Sequence, residues 1–205
     1  LFTANFYDDE IIKKYGKKIK CILSSCTSPD TVKICKNDDL DIFWFHPLID
    51  DYRKLESISK IMNLMTKSEI NPKGFPGLQT AGNVGAFSWI FSWAILGKSP
   101  TALIGLNLGY LGDTKIENTQ HYNELLKVCD NLEDVTKKYR KILNIDLNCE
   151  VLLDPVFDYY REALLDLVKR TPSWTKTINA TEGGSLFGEG IENMKLSDFL
   201  FKHNN

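Results

Sequence analysis

A long stretch of this chain is nearly free of charge: between positions 82 and 112 the only charged residue is Lys98. A segment this poor in charge must be buried, either inside a globular domain or in a membrane. Its first part, residues 81–97, is 17 residues long and carries three glycines and Asn83. That length is at the lower edge of what spans a bilayer, so the stretch predicts a buried helix and no membrane span.

Short apolar runs alternate with longer amphipathic segments along the chain. The predicted strands cover residues 19–24, 41–45, 78–80, 101–106 and 174–179. Helices are predicted over residues 52–66, 84–96 and 197–202 and over polar segments within 118–144. A further long helix is predicted to begin at Asp154 and Pro155. Strands separated by helices indicate parallel βαβ units. We therefore expect an α/β fold, a Rossmann-like and mostly parallel sheet with helices on both faces, as one domain over residues 1–205.

Composition excludes several classes of protein. The 25 Lys and Arg residues nearly balance the 27 Asp and Glu residues, for a net charge of −2, whereas nucleic-acid and membrane-surface binders usually carry a basic excess. The five cysteines form no C-x-x-C pair, which disfavours a structural zinc site and favours reduced thiols in a cytoplasmic protein. The first residue is Leu1, so we expect the sequence to begin partway along a longer chain.

Three loops carry the candidate binding residues, because ligands of open α/β sheets bind beyond the carboxyl ends of the strands. The first loop, residues 80–85, contains Gly82, Asn83 and Gly85 before an apolar helix, whose N-terminus favours a phosphate group. It matches neither the dinucleotide-binding fingerprint nor the P-loop. A tight turn with close helix packing explains the same glycines equally well.

The second loop, residues 105–113, follows the most apolar predicted strand and presents Asn107 and Tyr110. The third loop, residues 179–184, contains Thr181, Glu182, Gly183 and Gly184, which suit a ribose, a base or a sugar hydroxyl. Each loop alone is also compatible with an ordinary surface turn. Glu182 is the carboxylate that we select as the candidate catalytic base.

Two histidines are weaker candidates. His46 follows an aromatic strand and suits a general acid or base, although packing at the edge of the core is the simpler interpretation. His121 is expected on a helix surface or a cavity rim. The sequence contains no G-x-S-x-G or H-E-x-x-H motif and assigns no metal ligands.

The three loops in this order, together with the segment Leu-Gly-Lys-Ser-Pro-Thr-Ala-Leu-Ile-Gly-Leu-Asn-Leu-Gly-Tyr, resemble the 6-hydroxymethylpterin diphosphokinase MptE-like family. That family includes the motility accessory factors of flagellin glycosylation. The resemblance spans residues 78–200. The family's usual aspartate in the second loop is Asn107 here, and its N-terminal glycine loop is absent, so we expect that loop to lie upstream of Leu1.

The resemblance implies a Rossmann-like, nucleotide-binding transferase. Its first implied activity is transfer of a nonulosonic, sialic-acid-like sugar from a CMP-activated donor to hydroxyl groups of a protein or small-molecule acceptor. Its second is Mg²⁺-dependent and ATP-dependent pyrophosphorylation of 6-hydroxymethyl-7,8-dihydropterin, with Trp89, Trp93 and Tyr110 as aromatic candidates for the pterin. A non-catalytic nucleotide-binding domain is the third alternative. The resemblance to the accessory factors favours the glycosyltransferase, and the sequence leaves open whether the protein forms an oligomer.

Overall fold

The computed structural model describes residues 14, 15 and 18–203. The chain divides into two compact units, an N-terminal unit, Leu1–Thr80, and a C-terminal unit, Ala81–Asn205. The expected single domain over residues 1–205 stays a prediction.

Within its described residues, the N-terminal unit holds a parallel three-stranded sheet, in the strand order β1-β2-β3, together with helices. Its elements are β1 (Lys20–Ser24), α1 (Pro29–Asn37), β2 (Asp41–Pro47), α2 (Ile58–Met65) and β3 (Gly77–Leu78).

The helix predicted over residues 52–66 begins only at Ile58. The Asp50 carboxylate accepts hydrogen bonds from the Ser57 hydroxyl at 2.9 Å and from the backbone N–H groups of Ile58 and Ser59, and the Ser57 side chain caps the helix. Hydrogen bonding, from Ser59 first, lowers the pKa of Asp50 to about 2. These bonds set the start of α2, and the preceding residues 52–56 remain outside the helix.

The C-terminal unit holds two further three-stranded sheets, one parallel in the order β4-β8-β9 and one antiparallel in the order β5-β7-β6. Its elements are α3 (Val84–Ile90), continued as a π-helix (Phe91–Ile95), β4 (Thr101–Leu103), β5 (Tyr110–Leu111), a 3₁₀ turn (Ile116–Asn118), α4 (Tyr122–Val128), α5 (Leu132–Lys137), β6 (Arg140–Asn144), β7 (Cys149–Leu153), α6 (Pro155–Lys169), β8 (Thr177–Asn179), β9 (Ile191–Asn193) and α7 (Leu196–His203).

One buried cluster joins the helices of this unit to its parallel sheet. Its members come from α3, β4, α6 and the segments around β8 and β9: Ala86, Trp89, Ile90, Leu103, Leu108, Leu164, Val168, Leu186 and Ile191. The Trp89 indole N–H donates to the Thr177 hydroxyl at 3.0 Å, which ties α3 to the first residue of β8. The predicted buried helix therefore packs one face into the core, while Val84 and Ile95 on other faces are exposed.

The α/β class is confirmed, but the described residues form three small sheets in place of the single sheet expected. The polar helices predicted through residue 144 end at Lys137, and Arg140–Asn144 is strand β6, paired with β7. The short strands β5 and β9 and the strand β7 were not predicted. Within the described residues, no helix has both the length and the apolar character that crossing a membrane requires.

Candidate functional site

The second and third loops meet because they leave neighbouring parallel strands at the same edge of the sheet. β4 pairs with β8 so that Leu103 lies opposite Asn179. Beyond these residues, the Ala180 N–H donates to the Leu103 carbonyl at 2.9 Å, and the Leu106 N–H donates to the Thr181 hydroxyl oxygen at 3.2 Å. The predicted convergence of the two loops at a carboxyl edge is present in the structure.

Gly184 lies directly against the backbone of Asn107. A Cβ placed on Gly184 would lie 2.5 Å from the Asn107 carbonyl oxygen, and the φ of this glycine is +78°. The next residue, Ser185, donates its N–H to the same carbonyl at 2.8 Å, and the Asn144 side chain donates to the Gly184 carbonyl at 2.9 Å. Gly184 therefore holds the two loops together and is needed there for its small size and its left-handed backbone.

The first loop reaches the second through Gly85, since a Cβ on Gly85 would lie 2.5 Å from Leu106 Cδ1. Gly82, at φ +78°, packs on Tyr160 of α6 in the same way, with 2.6 Å to Tyr160 Cε1. Asn83 caps α3, because its side-chain oxygen accepts from the Ala86 N–H at 2.9 Å. All three predicted binding residues of this loop thus have structural contacts, and their contact with a ligand stays a prediction.

Each of the three loops contains a non-glycine residue in the left-handed region of backbone space. Ala81 has φ 46°, Leu108 has φ 43° and Glu182 has φ 60°. Such conformations cost free energy and cluster at ligand-binding sites, where the surrounding structure holds them in place. Two further non-glycine residues with this conformation, Asp39 and Asn148, lie outside the three loops. The strained positions therefore accompany the sequence motifs without singling out these loops.

Three predicted site residues face open space. The Asn107 side chain is exposed, and a Cβ on Gly183 would meet nothing within 4 Å. Glu182 is exposed and lines a cavity of about 500 Å³ together with Lys195 and Asp198. One Glu182 carboxylate oxygen accepts the Leu196 N–H at 3.4 Å, at the start of α7. These are the predicted residues best placed to contact a ligand.

A buried asparagine that the sequence reading did not select organises the third loop. The Asn179 side chain donates to the Leu186 carbonyl at 2.8 Å and to the Asn193 side chain at 2.9 Å, and it accepts the Thr181 N–H at 3.0 Å. The sequence signal that indicates such a role for Asn179 is its position at the end of a predicted strand. Thr181 uses its own hydroxyl for the backbone contacts to Leu106 and Leu103, so a sugar contact by that hydroxyl stays a prediction.

Tyr110 belongs to a polar cluster on Asp154 that the sequence reading also missed. Its hydroxyl donates to Asp154 Oδ2 at 2.8 Å and accepts the Gln120 N–H at 2.9 Å. Burial, followed by the hydrogen bond to Asp154, raises the pKa of Tyr110 well above its ordinary value. A second donor, His121 Nδ1, lies 2.7 Å from the same carboxylate oxygen. The predicted binding role of the Tyr110 hydroxyl stays untested, since the hydroxyl is engaged inside the protein.

His46 lies in the N-terminal unit and is fully buried, as the core-packing interpretation expected. Its Nδ1 lies 2.8 Å from the Ser25 hydroxyl, and burial lowers the pKa of the imidazole.

All five cysteines are free thiols. Among the described residues, no group of three or more His, Cys, Asp or Glu side chains is placed to hold a metal ion.

Comparison of the chain with models of protein families, with curated proteins and with solved structures finds no match.

Proposed function

We propose that the C-terminal unit binds a nucleotide at the three loops and belongs to a nucleotide-dependent transferase with a Rossmann-like core. The observation that carries this proposal is the convergence of the second and third loops at the carboxyl ends of β4 and β8, with the first loop packed against Leu106. Parallel α/β sheets bind their ligands at this edge. The strained residues Ala81, Leu108 and Glu182 lie in the same loops.

The proposed reaction is transfer of a nonulosonic sugar from a CMP-activated donor to an acceptor hydroxyl. We place the donor phosphate beside the first loop at the start of α3, with Gly82 and Gly85 serving the packing of this loop on Tyr160 and Leu106. The exposed Asn107 side chain and Glu182, which borders the 500 Å³ cavity, contact the base or the sugar. We further propose a cytoplasmic location, which suits the five free thiols.

The alternative pterin diphosphokinase has less support from the geometry. Its flat substrate needs an aromatic face to stack on, yet Trp89 is 1% exposed and its ring packs against Trp93. Trp93 also contacts Trp174, and Tyr110 packs against Phe157. Each aromatic candidate thus packs against another ring of the protein, so glycosyl transfer is the better-supported activity.

Calorimetric titration of the full-length protein with CMP and with a CMP-activated nonulosonic sugar tests the proposal. The matched variants are N107A, which removes an exposed side chain in the second loop, and N123A, which removes an exposed asparagine on α4. Loss of one polar contact to the ligand weakens binding about tenfold in N107A and leaves N123A unchanged.

Release of CMP in the presence of acceptor supports glycosyl transfer over a non-catalytic domain, which would bind CMP without turnover. ATP-dependent release of AMP with the pterin alcohol would instead support the diphosphokinase. Absence of saturable binding of CMP and its sugar conjugate would refute the proposed function.

A further inference from the structure

We infer that His121 is the general base of the transfer reaction and that Asp154 is the positioning residue that orients it. The inference rests on the proposed function, because transfer to a hydroxyl group requires a proton acceptor at the reacting oxygen. It replaces Glu182 in that role.

The Asp154 carboxylate is fully buried and held rigidly at the start of α6. Its Oδ1 accepts the backbone N–H groups of Val156 at 3.0 Å and Phe157 at 2.8 Å. Its Oδ2 lies 2.7 Å from His121 Nδ1 and accepts the Tyr110 hydroxyl. Because a carboxylate only accepts hydrogen bonds, Nδ1 of His121 carries a proton, and in the neutral ring Nε2 keeps its lone pair.

The free nitrogen of His121 is reachable from outside. The His121 side chain is 19% exposed, and within the described part of the chain its Nε2 makes no hydrogen bond. The Phe157 ring packs edge-on against the imidazole, with 5.5 Å between ring centroids, and limits its rotation. A buried carboxylate that orients an imidazole with an open Nε2 is the arrangement by which histidine accepts protons in hydrolases and transferases.

Two neighbouring side chains of α6 connect His121 to the first loop. Phe157 contacts the ring of His121, and Tyr160, three residues further on, contacts Gly82. Three residues of α-helix span about 5 Å along the axis. The side chains of α6 that contact the imidazole and the first loop therefore start about one helical turn apart.

Glu182 lies at the other end of β7. Cys149, the first residue of β7, lines the cavity of Glu182, whereas Asp154 directly follows the last residue of that strand. A strand of five residues extends about 16 Å, so we assign Glu182 and His121 to different parts of the donor. The carboxylate of Glu182 remains a contact for another part of the same elongated donor.

The acceptor hydroxyl oxygen forms a bond to the anomeric carbon of the donor sugar, and the bond from that carbon to the CMP phosphate oxygen breaks. The electron pair of the broken bond leaves with CMP, and the proton of the hydroxyl moves to His121 Nε2. The Asp154 carboxylate stabilises the resulting imidazolium.

The variant H121N tests the assignment in the full-length protein. The asparagine amide replaces the Nδ1 donor to Asp154 but offers no base at the position of Nε2. We expect the calorimetric Kd for CMP to stay within about threefold and the rate of CMP release from the sugar donor to fall about 100-fold or more. H203N, which changes an exposed histidine on α7, is the control and keeps the wild-type rate.

Two further variants separate catalysis from folding. D154N keeps a good N-cap for α6, but its amide N–H₂ replaces the oxygen that accepts from His121 and Tyr110, so kcat falls while the Kd for CMP changes little. In H121A, added imidazole restores part of the rate, which a purely structural histidine would not allow.

Turnover of H121N within threefold of wild type, with CMP still bound, would overturn the inference and leave the proposed function standing. Failure of the wild-type protein to bind CMP would instead overturn the proposed function, and the role of His121 in this transfer with it.

Discussion

Gly184→Ala is the substitution that most directly probes the contact between the second and third loops. The new Cβ would lie 2.5 Å from the Asn107 carbonyl oxygen and 2.7 Å from Asn107 Cα. Both atoms belong to the backbone, so no side-chain rotation relieves the clash, and the third loop must move away from the second. The hydrogen bonds from Ser185 N–H and from the Asn144 side chain are then stretched or lost.

The magnitude follows from these two effects. A non-glycine residue in the left-handed conformation costs about 1 to 2 kcal/mol, and each hydrogen bond lost contributes about 1 kcal/mol. The free energy of unfolding therefore falls by about 3 kcal/mol or more, which lowers the melting temperature by about 6 to 12 °C for a chain of this size. CMP affinity falls as well, because the proposed site is built from the displaced loops.

Two neighbouring glycines provide matched controls in the same thermal-unfolding assay. Gly105 has φ +69° but meets nothing within 4 Å, so Gly105→Ala shows only the backbone cost of about 1 to 2 kcal/mol. Gly183 has open space and no left-handed φ, so Gly183→Ala leaves stability nearly unchanged. A Gly184→Ala variant as stable as Gly183→Ala would refute the contact between the two loops.

Three other predictions concern stability and reactivity. In urea titrations, Asp154→Ala lowers the free energy of unfolding by about 2 to 3 kcal/mol more than D154N does, because alanine removes the helix cap and leaves buried donors unpaired. An equal loss of free energy of unfolding in the two variants would contradict the capping role of Asp154. Burial lowers the pKa of His46 below its ordinary 6.5, so the unfolded chain binds a proton at a higher pH than the folded chain does. The free energy of unfolding therefore decreases as the pH falls from about 7 to 5. In urea unfolding, H46Q weakens this pH dependence, and an unchanged pH dependence would exclude His46 as its source. A thiol reagent near neutral pH labels the exposed Cys26 well before Cys21 and before the buried Cys35, as followed by peptide mass spectrometry. Burial raises the pKa of the Cys21 thiol to about 11. Faster labelling of Cys35 than of Cys26 would contradict the burial of Cys35 in the core of the N-terminal unit.

Local signals in the sequence were enough to predict much of what builds the site. Asp154 followed by Pro155 marked the start of α6, and the structure caps the helix with that aspartate. The loops after β4 and β8 were predictable at one edge of a parallel sheet, whereas their direct contact depends on the pairing of these two strands in the structure.

The antiparallel sheet was missed because its signal is short and lies within a basic, polar segment. The polar pattern predicts helix over the residues of β6, yet Asn144 accepts hydrogen bonds from the N–H groups of Asp146 and Leu147, which turns the chain towards β7. Asn148 completes the turn with φ 49°. Asparagines at both ends of this connection were the available turn signal.

The cluster on Asp154 could not be found from one sequence. Tyr110 lies 44 residues before Asp154 and His121 lies 33 residues before it, so no local spacing connects them. Only the pairing of β5 with β7 brings the Tyr110 hydroxyl to the start of α6. Predicting such a cluster requires knowing which strands pair, which sequence periodicity does not determine.

The most direct test of nucleotide binding at the three loops is a titration of the ¹⁵N-labelled full-length protein with CMP, followed by amide NMR shifts. The proposal predicts saturable shifts at the backbone amides of Gly82, Gly85, Asn107 and Gly183, with amides of the N-terminal sheet unchanged. Saturable shifts confined to residues outside the three loops, or no shifts at all, would contradict it.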